Sequence, residues 1–423
     1  MTSETLDLTR ELVDEAFAER VAPDPELLRT CMGCGTCSAS CPTGTAMDYT
    51  PRQLWRLMDL GLKDEVVRSR TFWLCVTCNA CTVRCPRGIP LMETMLALKS
   101  YAVQEGLQVP EGLLRLRDTV TANHNISGDP NETRLIWSEN LPRIPEGIEA
   151  KRGAEVLYFV GCVGAFYPRV YSIPQSFVQI LERAGVDFTT LGGEEWCCGY
   201  PLYAAGMADR VAEMARHNVE RIREMGIKRV VFTCPSCYYA WTHLYPNLVV
   251  LDDLQFLHAT ELMAGLIEGQ RLGLGPVERV VTYHDPCDLG RKGGVFDAPR
   301  FVLESIPGLE LREMANYGEN ALCCGGGGDV EIAEAEVTGA VAARRLAQAQ
   351  GTGAGILVSA CQQCKRTLAE AARKARVRMR VMDLTELVWR SMQNLEIANA
   401  RRGFGISNNS QDRPASVRED EGR

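Results

Sequence analysis

The sequence predicts a multidomain chain of α+β/α/β class, with a helical N-terminal domain followed by an α/β domain present twice. Three observations carry this expectation. The eighteen cysteines fall into two groups, eight within the first 85 residues and ten from Cys162 to Cys364. From about residue 154, short β-branched apolar runs alternate with helical segments, which is the texture of α/β architecture. The second cysteine group also repeats itself: Cys162, Cys197 and Cys234 recur as Cys287, Cys323 and Cys361, which lie 125, 126 and 127 residues further on.

At 423 residues the chain has room for two to four domains with their own cores. The cysteine share is too low, and the chain too long, for a small disulfide-stapled scaffold. A net charge of −8 argues against nucleic acid or an anionic membrane as the main partner. Residues 1–20 form a lead in which acidic and apolar residues alternate, and no signal peptide is expected there. The longest apolar stretch, around Val156 to Phe166, is far short of the roughly 18 residues a membrane span needs. These features predict a cytoplasmic protein with no transmembrane segment of its own. In a reducing compartment its cysteines should be metal ligands or redox centres.

Residues 21–110 contain Cys31-x2-Cys34-x2-Cys37-x3-Cys41-Pro42 and Cys75-x2-Cys78-x2-Cys81-x3-Cys85-Pro86. This is the spacing of two-cluster bacterial ferredoxins, in which three thiolates hold one corner of a [4Fe–4S] cube and the fourth ligates the other cluster. One cubane is therefore assigned to Cys31, Cys34, Cys37 and Cys85, the other to Cys75, Cys78, Cys81 and Cys41. Paired C-x2-C units also make zinc ribbons; two complete runs, each closed by Cys-Pro, favour the cubanes. Between the runs, Thr50-Pro51-Arg52-Gln53 reads as a capping box with proline at the first helical position. The helix that follows should bury Trp55 and Leu57. A linker of this kind resembles the helical ferredoxin domains of respiratory iron–sulfur subunits.

Residues 111–153 are read as a linker, 154–270 as the first α/β domain and 276–395 as the second. Four apolar runs end at cysteines: EVLYFVGCVG, KRVVFTCPSC, RVVTYHDPC and GILVSACQQC. Thiols at the carboxyl ends of strands sit where open α/β sheets bind ligands. One copy holds Cys162, Cys197-Cys198-Gly199 and Cys234-x2-Cys237; the other holds Cys287, Cys323-Cys324-Gly325 and Cys361-x2-Cys364. Taken alone, Cys-Pro-Ser-Cys after a strand could be a thioredoxin-like dithiol. Two matched copies, each with a Cys-Cys-Gly run and a lone upstream cysteine, speak against that. The run Gly325 to Gly328 lacks the Gly-Lys-Ser/Thr ending of a phosphate loop and reads as a turn bringing backbone close to a cluster.

These motifs resemble the CCG-domain family, whose best-known member is the catalytic subunit of heterodisulfide reductase. The resemblance covers nearly the whole chain and is nearest to the fused form, a ferredoxin-type module joined to two CCG domains. It implies a noncubane [4Fe–4S] cluster at each five-cysteine motif, with a disulfide cleaved between the two clusters. Cys162, Cys197, Cys198, Cys234 and Cys237 would hold one cluster, with Gly199 as a cofactor-contacting turn. Cys287, Cys323, Cys324, Cys361 and Cys364 would hold the other, with Gly325 in the same role. The eighteen cysteines then divide as four, four, five and five, with none left over.

Reducing a disulfide also takes two protons, and only five histidines are present. His284, three residues before Cys287, is the candidate catalytic residue, either as proton donor or as a hydrogen-bond partner of a cluster sulfur. The plain alternative is a histidine satisfied by local backbone or by Asp285. His243 ranks below it. No G-x-G-x-x-G follows a strand and no P-loop is present, so no flavin, NAD or ATP site is expected. Electrons must then come from a partner flavoprotein or a membrane cytochrome or quinone-reactive subunit, which could hold the chain at the inner face of the membrane. The substrate is expected to be a small disulfide or thiol, or a protein thiol. Residues 396–423, polar and poor in apolar side chains, read as a disordered tail. Two functions compete: an iron–sulfur disulfide reductase subunit, and a non-catalytic relay for a flavin-dependent glycolate, lactate or glycerol-3-phosphate oxidoreductase.

Overall fold

The cysteine loops of the N-terminal domain are built alike. In the computed structural model, which describes residues 13–403, Gly33 and Gly35 in the first loop are left-handed, and so are Thr77 and Asn79 in the second. Each loop then runs into a short helix, Thr36–Ser40 or Ala80–Val83, which carries Cys37 or Cys81. Two left-handed residues per loop curl the backbone so that three thiols spaced along it face one centre. The helix between the loops, Pro51–Asp59, starts at the expected capping box on Thr50 and Gln53 and buries Leu54, Trp55 and Met58. Leu57 is only half-buried.

The stretch 111–153 is ordered structure rather than a bare linker. It holds a helix, Glu111–Asn123, which buries Leu113, Leu116 and Val120 at helical spacing, and a 3-10 helix, Asn131–Ser138, which buries Arg134 and Trp137. The last helix, Leu384–Gly403, runs past the expected boundary at 395; it buries Leu387, Val388 and Met392 and packs against the helix Ser172–Arg183 of the first copy, where Arg183 pairs with Glu396. Residues 396–403 of the expected tail are therefore helical. Residues 404–423, and residues 1–12 of the lead, lie outside the described residues.

The duplication is explicit in the sheets. Strands β1 (Val156–Phe159), β2 (Phe188–Thr189), β3 (Arg229–Phe232) and β4 (Gln255–His258) form a parallel sheet of order β2-β1-β3-β4. Strands β5 (Arg279–His284), β6 (Leu309–Leu311), β7 (Ile356–Ser359) and β8 (Arg380–Asp383) form a second, of order β6-β5-β7-β8. Every pairing is parallel. The four apolar runs singled out in the sequence are the central pairs, β1 with β3 and β5 with β7. Covered on both faces, such strands read as continuous apolar segments. In each sheet the chain leaves the first strand to one side and returns on the other, so a crevice opens between the carboxyl ends of the central pair. Cys162 and Cys234 stand at one crevice, Cys287 and Cys361 at the other.

Candidate functional site

All ten cysteines of the duplicated half line one cavity of about 350 Å³. Nine are buried, Cys287 is half-buried, and none forms a disulfide. The two copies thus face each other across a shared space, with Val76 of the N-terminal domain closing part of the wall.

Within each copy the thiols are held in the same way. Each Cys-x2-Cys motif opens a helix, at Pro235–Tyr239 and Gln362–Lys374, where the positive helix end favours thiolate. Cys361 Sγ accepts from the Cys364 amide at 3.3 Å, and Cys324 and Cys364 lie 3.3 Å apart. Gly199 and Gly325 take φ of 79° and 86° and donate their amides to Cys197 Sγ and Cys323 Sγ at 3.4 and 3.2 Å. A Cβ at Gly325 would lie 2.8 Å from the Val341 side chain, so the turn is closed to any larger residue. The rest of that glycine run does something else: Gly327 and Gly328 pack against the backbone of Cys75 and Val76, seating the N-terminal domain.

Each lone cysteine meets an arginine that the sequence did not point to, Arg134 buried and Arg291 half-buried. Arg134, from the supposed linker, donates to Cys162 Sγ at 3.6 Å and pairs with Glu195 at 2.8 Å, both side chains about 1 % exposed. Glu195 also accepts the amides of Val160 and Gly161, each at 2.9 Å, which fixes the loop before Cys162. Arg291 donates to Cys287 Sγ at 3.0 Å and to the Cys78 carbonyl at 2.7 Å. No signal in a single sequence marks these two arginines out from the others on the chain.

The N-terminal domain sits against the second copy. Cys31, Cys34, Cys37 and Cys85 line one recess. Cys41 is grouped instead with the second loop: burial and the neighbouring Cys78 and Cys75 thiols push its thiol up to about 12. The thiol of Cys78 interacts with that of Cys323, which lowers it. Lys99, fully buried, joins all three domains by donating to the carbonyls of Ala204 at 2.9 Å, Gly328 at 3.2 Å and Cys75 at 3.4 Å. Gln362 joins the two copies: its amide nitrogen donates to the Val160 carbonyl and Thr233 hydroxyl, both at 2.8 Å, and its oxygen accepts the Gly164 amide at 2.7 Å.

His284 lies behind the cavity wall, fully buried and not among the lining residues. Its partner is neither local backbone nor Asp285. Arg345 Nε donates to its Nδ1 at 2.9 Å, so the ring proton sits on Nε2, which is buried with no hydrogen-bond partner among the described residues; a ring nitrogen lies within 4.8 Å of the Cys324 and Cys364 sulfurs. Burial lowers its basicity. This placement suits a hydrogen bond to a sulfur better than proton delivery to a substrate. His243 stacks on Tyr239 with its ring centre 4.5 Å away and bonds Thr242, away from the thiols.

Ten thiols around one cavity, with amide and guanidinium donors aimed at their sulfurs, beside eight more in the two N-terminal cysteine loops, are a donor set for iron–sulfur clusters. Residues 156–241 and 281–369 each match the cysteine-rich CCG domain, and residues 27–89 match the 4Fe-4S dicluster domain. The chain is 31 % identical over 395 residues to a subunit of the dihydromethanophenazine:CoB–CoM heterodisulfide reductase of Methanosarcina barkeri, covering 85 % of this chain and 93 % of that protein. The identity is 33 % over 397 residues for the corresponding protein of Methanosarcina mazei, again across 85 % of this chain and 93 % of the relative.

The chain belongs to this family of heterodisulfide reductase subunits.

A further relative, the probable iron-sulfur-binding oxidoreductase FadF of Bacillus subtilis, is 28 % identical across 85 % of this chain and 51 % of its own length. Membership makes this an iron–sulfur electron-transfer oxidoreductase subunit of the heterodisulfide reductase type, carrying multiple [4Fe–4S] clusters and working within a complex. No helix among the described residues is long and apolar enough to cross a membrane.

Proposed function

We propose that this chain reduces a disulfide, or oxidises two thiols, in the cavity between its two five-cysteine sites. In this reading Cys31, Cys34, Cys37 and Cys85 hold one cubane and Cys75, Cys78, Cys81 and Cys41 the other. Cys162, Cys197, Cys198, Cys234 and Cys237 hold one noncubane cluster, and Cys287, Cys323, Cys324, Cys361 and Cys364 its counterpart, with Gly199 and Gly325 as the turns beside them. The clusters, when bound, supply one-electron steps. The observation that carries the reading is that ten thiols from two copies open onto one cavity, rather than onto two separate crevices. That space of about 350 Å³ would be shared by the two clusters and the disulfide that meets them.

The protein side chains do the rest. Gln362 and Lys99 fix the spacing of the walls, Arg134 and Arg291 stabilise negative charge on the two lone cysteines, and His284 stands behind Cys324 with a ring proton to offer a cluster sulfur. The adjacency of Cys78 and Cys323 favours electron entry from the N-terminal domain into the second site. The electron donor is then a flavoprotein or a membrane cytochrome or quinone-reactive subunit, and the chain works in the cytoplasm or at the inner membrane face through that partner. The competing relay function has less behind it, because both copies keep all five thiols around a cavity that a pure relay does not require.

The test is anaerobic dye oxidation. Iron-replete protein with reduced methyl viologen should oxidise the dye when bis(2-hydroxyethyl) disulfide is added, and Cys197→Ser or Cys323→Ser should abolish this. Iron-replete protein that takes up electrons but passes none to the disulfide would sink the reductase reading and favour the relay.

A further inference from the structure

We propose that Asp329 is the proton donor for disulfide cleavage, a catalytic residue on the wall of the cavity; this rests on the reductase reading above. Asp329 closes the Gly325–Gly328 run and is held at φ 56°, a left-handed position that aspartate tolerates but does not prefer. It stands immediately before the short helix Val330–Ala333, yet its side chain caps nothing there. Instead the residue lines the cavity, and its Oδ2 is shut from solvent with no hydrogen-bond partner among the described residues. An orphaned carboxyl oxygen at a cavity wall calls for a function or an unseen partner.

The charges around it are consistent with a carboxyl kept protonated near neutrality. Burial pushes Asp329 up to about 7, with Lys99 pulling the other way. Lys99 is occupied by three backbone carbonyls and forms no ion pair with it. The other acids on the wall are already engaged: Asp288 pairs with Lys292 at 2.6 Å and accepts from Tyr200, while Glu331 is paired with Arg366. Asp329 is thus the acidic residue on the wall whose carboxyl keeps an oxygen without a hydrogen-bond partner among the described residues.

The step balances as follows. The S–S bond of the disulfide breaks with two electrons delivered through the iron–sulfur chain from a reduced flavoprotein or cytochrome. The Asp329 carboxyl gives its proton to one product thiolate, and water supplies the second proton and later reprotonates the carboxylate. In the reverse direction the carboxylate accepts a thiol proton. A positioned acid of this kind contributes typically 10²–10⁴-fold.

Asp329→Asn is the decisive variant, because asparagine readily adopts the left-handed position and keeps the fold. It should retain wild-type iron and sulfide and accept electrons from reduced methyl viologen, yet reduce bis(2-hydroxyethyl) disulfide about 100-fold more slowly. The wild-type rate should fall as pH rises through about 7, where the acid form is lost, and the variant should lack that limb. Independently of turnover, the infrared difference between the two proteins should contain a protonated-carboxyl band that disappears over the same pH range. A variant that reduces the disulfide at the wild-type rate, or a spectrum without that band, overturns the assignment. A wild type that takes up electrons but reduces no disulfide overturns the reductase reading first, and this proposal with it.

Discussion

Arg291 donates to Cys287 Sγ at 3.0 Å, while its counterpart Arg134 meets Cys162 Sγ at 3.6 Å. The two differ in what neutralises them. Arg134 is paired with the buried carboxylate of Glu195; Arg291 has only carbonyl and sulfur partners among the described residues. The duplicated sites are therefore electrostatically unequal: the guanidinium at the one nearest the N-terminal domain has sulfur neighbours but no carboxylate partner among the described residues.

Arg291→Gln should lower the midpoint potential of the second site. One charge several ångströms away in a partly screened interior is worth about 2–3 kcal/mol, or on the order of 100 mV for one electron. A spectroscopically monitored redox titration checks this, and equal potentials in variant and wild type would remove Arg291 from the account.

Glu195→Gln should act first on stability. It leaves the guanidinium of Arg134 buried without its carboxylate, a change that costs about 3–5 kcal/mol. The thermal unfolding midpoint should fall clearly, with iron lost first from the first five-cysteine site. A variant as stable as wild type would mean that solvent reaches Arg134.

Gln362→Leu should loosen the two copies from each other. It strands the Val160 carbonyl and the Gly164 amide in the interior, at about 1–3 kcal/mol for each unsatisfied group. Hydrogen exchange at Val160 to Ala165 should quicken relative to the sheet cores; unchanged exchange would show that the clamp is redundant.

His258 gives a pH dependence. Its ring is fully buried, and burial holds it down to about 3, against an ordinary value of 6.5. The native state therefore stays neutral where the unfolded state takes up a proton. This stability is fully present above pH 6.5 and is lost as pH falls from 6.5 towards 3, at about 1.4 kcal/mol per pH unit. Between pH 7.5 and 5.5 the wild type should lose about 1 kcal/mol more than His258→Phe in denaturant titrations. Parallel losses in the two proteins would show that the ring is solvated.

Much of this was legible in the sequence because cysteine spacing and apolar runs are local signals. The central strands β1, β3, β5 and β7, the capping box at Thr50 and the doubled five-cysteine pattern could all be read directly. What lay hidden was set by long-range packing. The edge strands β2 and β6 are only two and three residues long, too short for a pattern. Residues 111–153 looked like a linker because their polar positions mask a buried arginine. His284 drew notice through its nearness in sequence to Cys287, yet its ring faces Cys324. Asp329 drew none, because an aspartate after four glycines reads as a turn. Its relation to the cavity depends on how the two copies meet, which no window of sequence contains.

The most direct measurement is iron and acid-labile sulfide per chain in anaerobically purified protein. Four clusters predict roughly 16 iron atoms and as many sulfides. A value near 8, with the N-terminal domain alone loaded, would contradict the claim that the facing five-cysteine sites each hold a cluster.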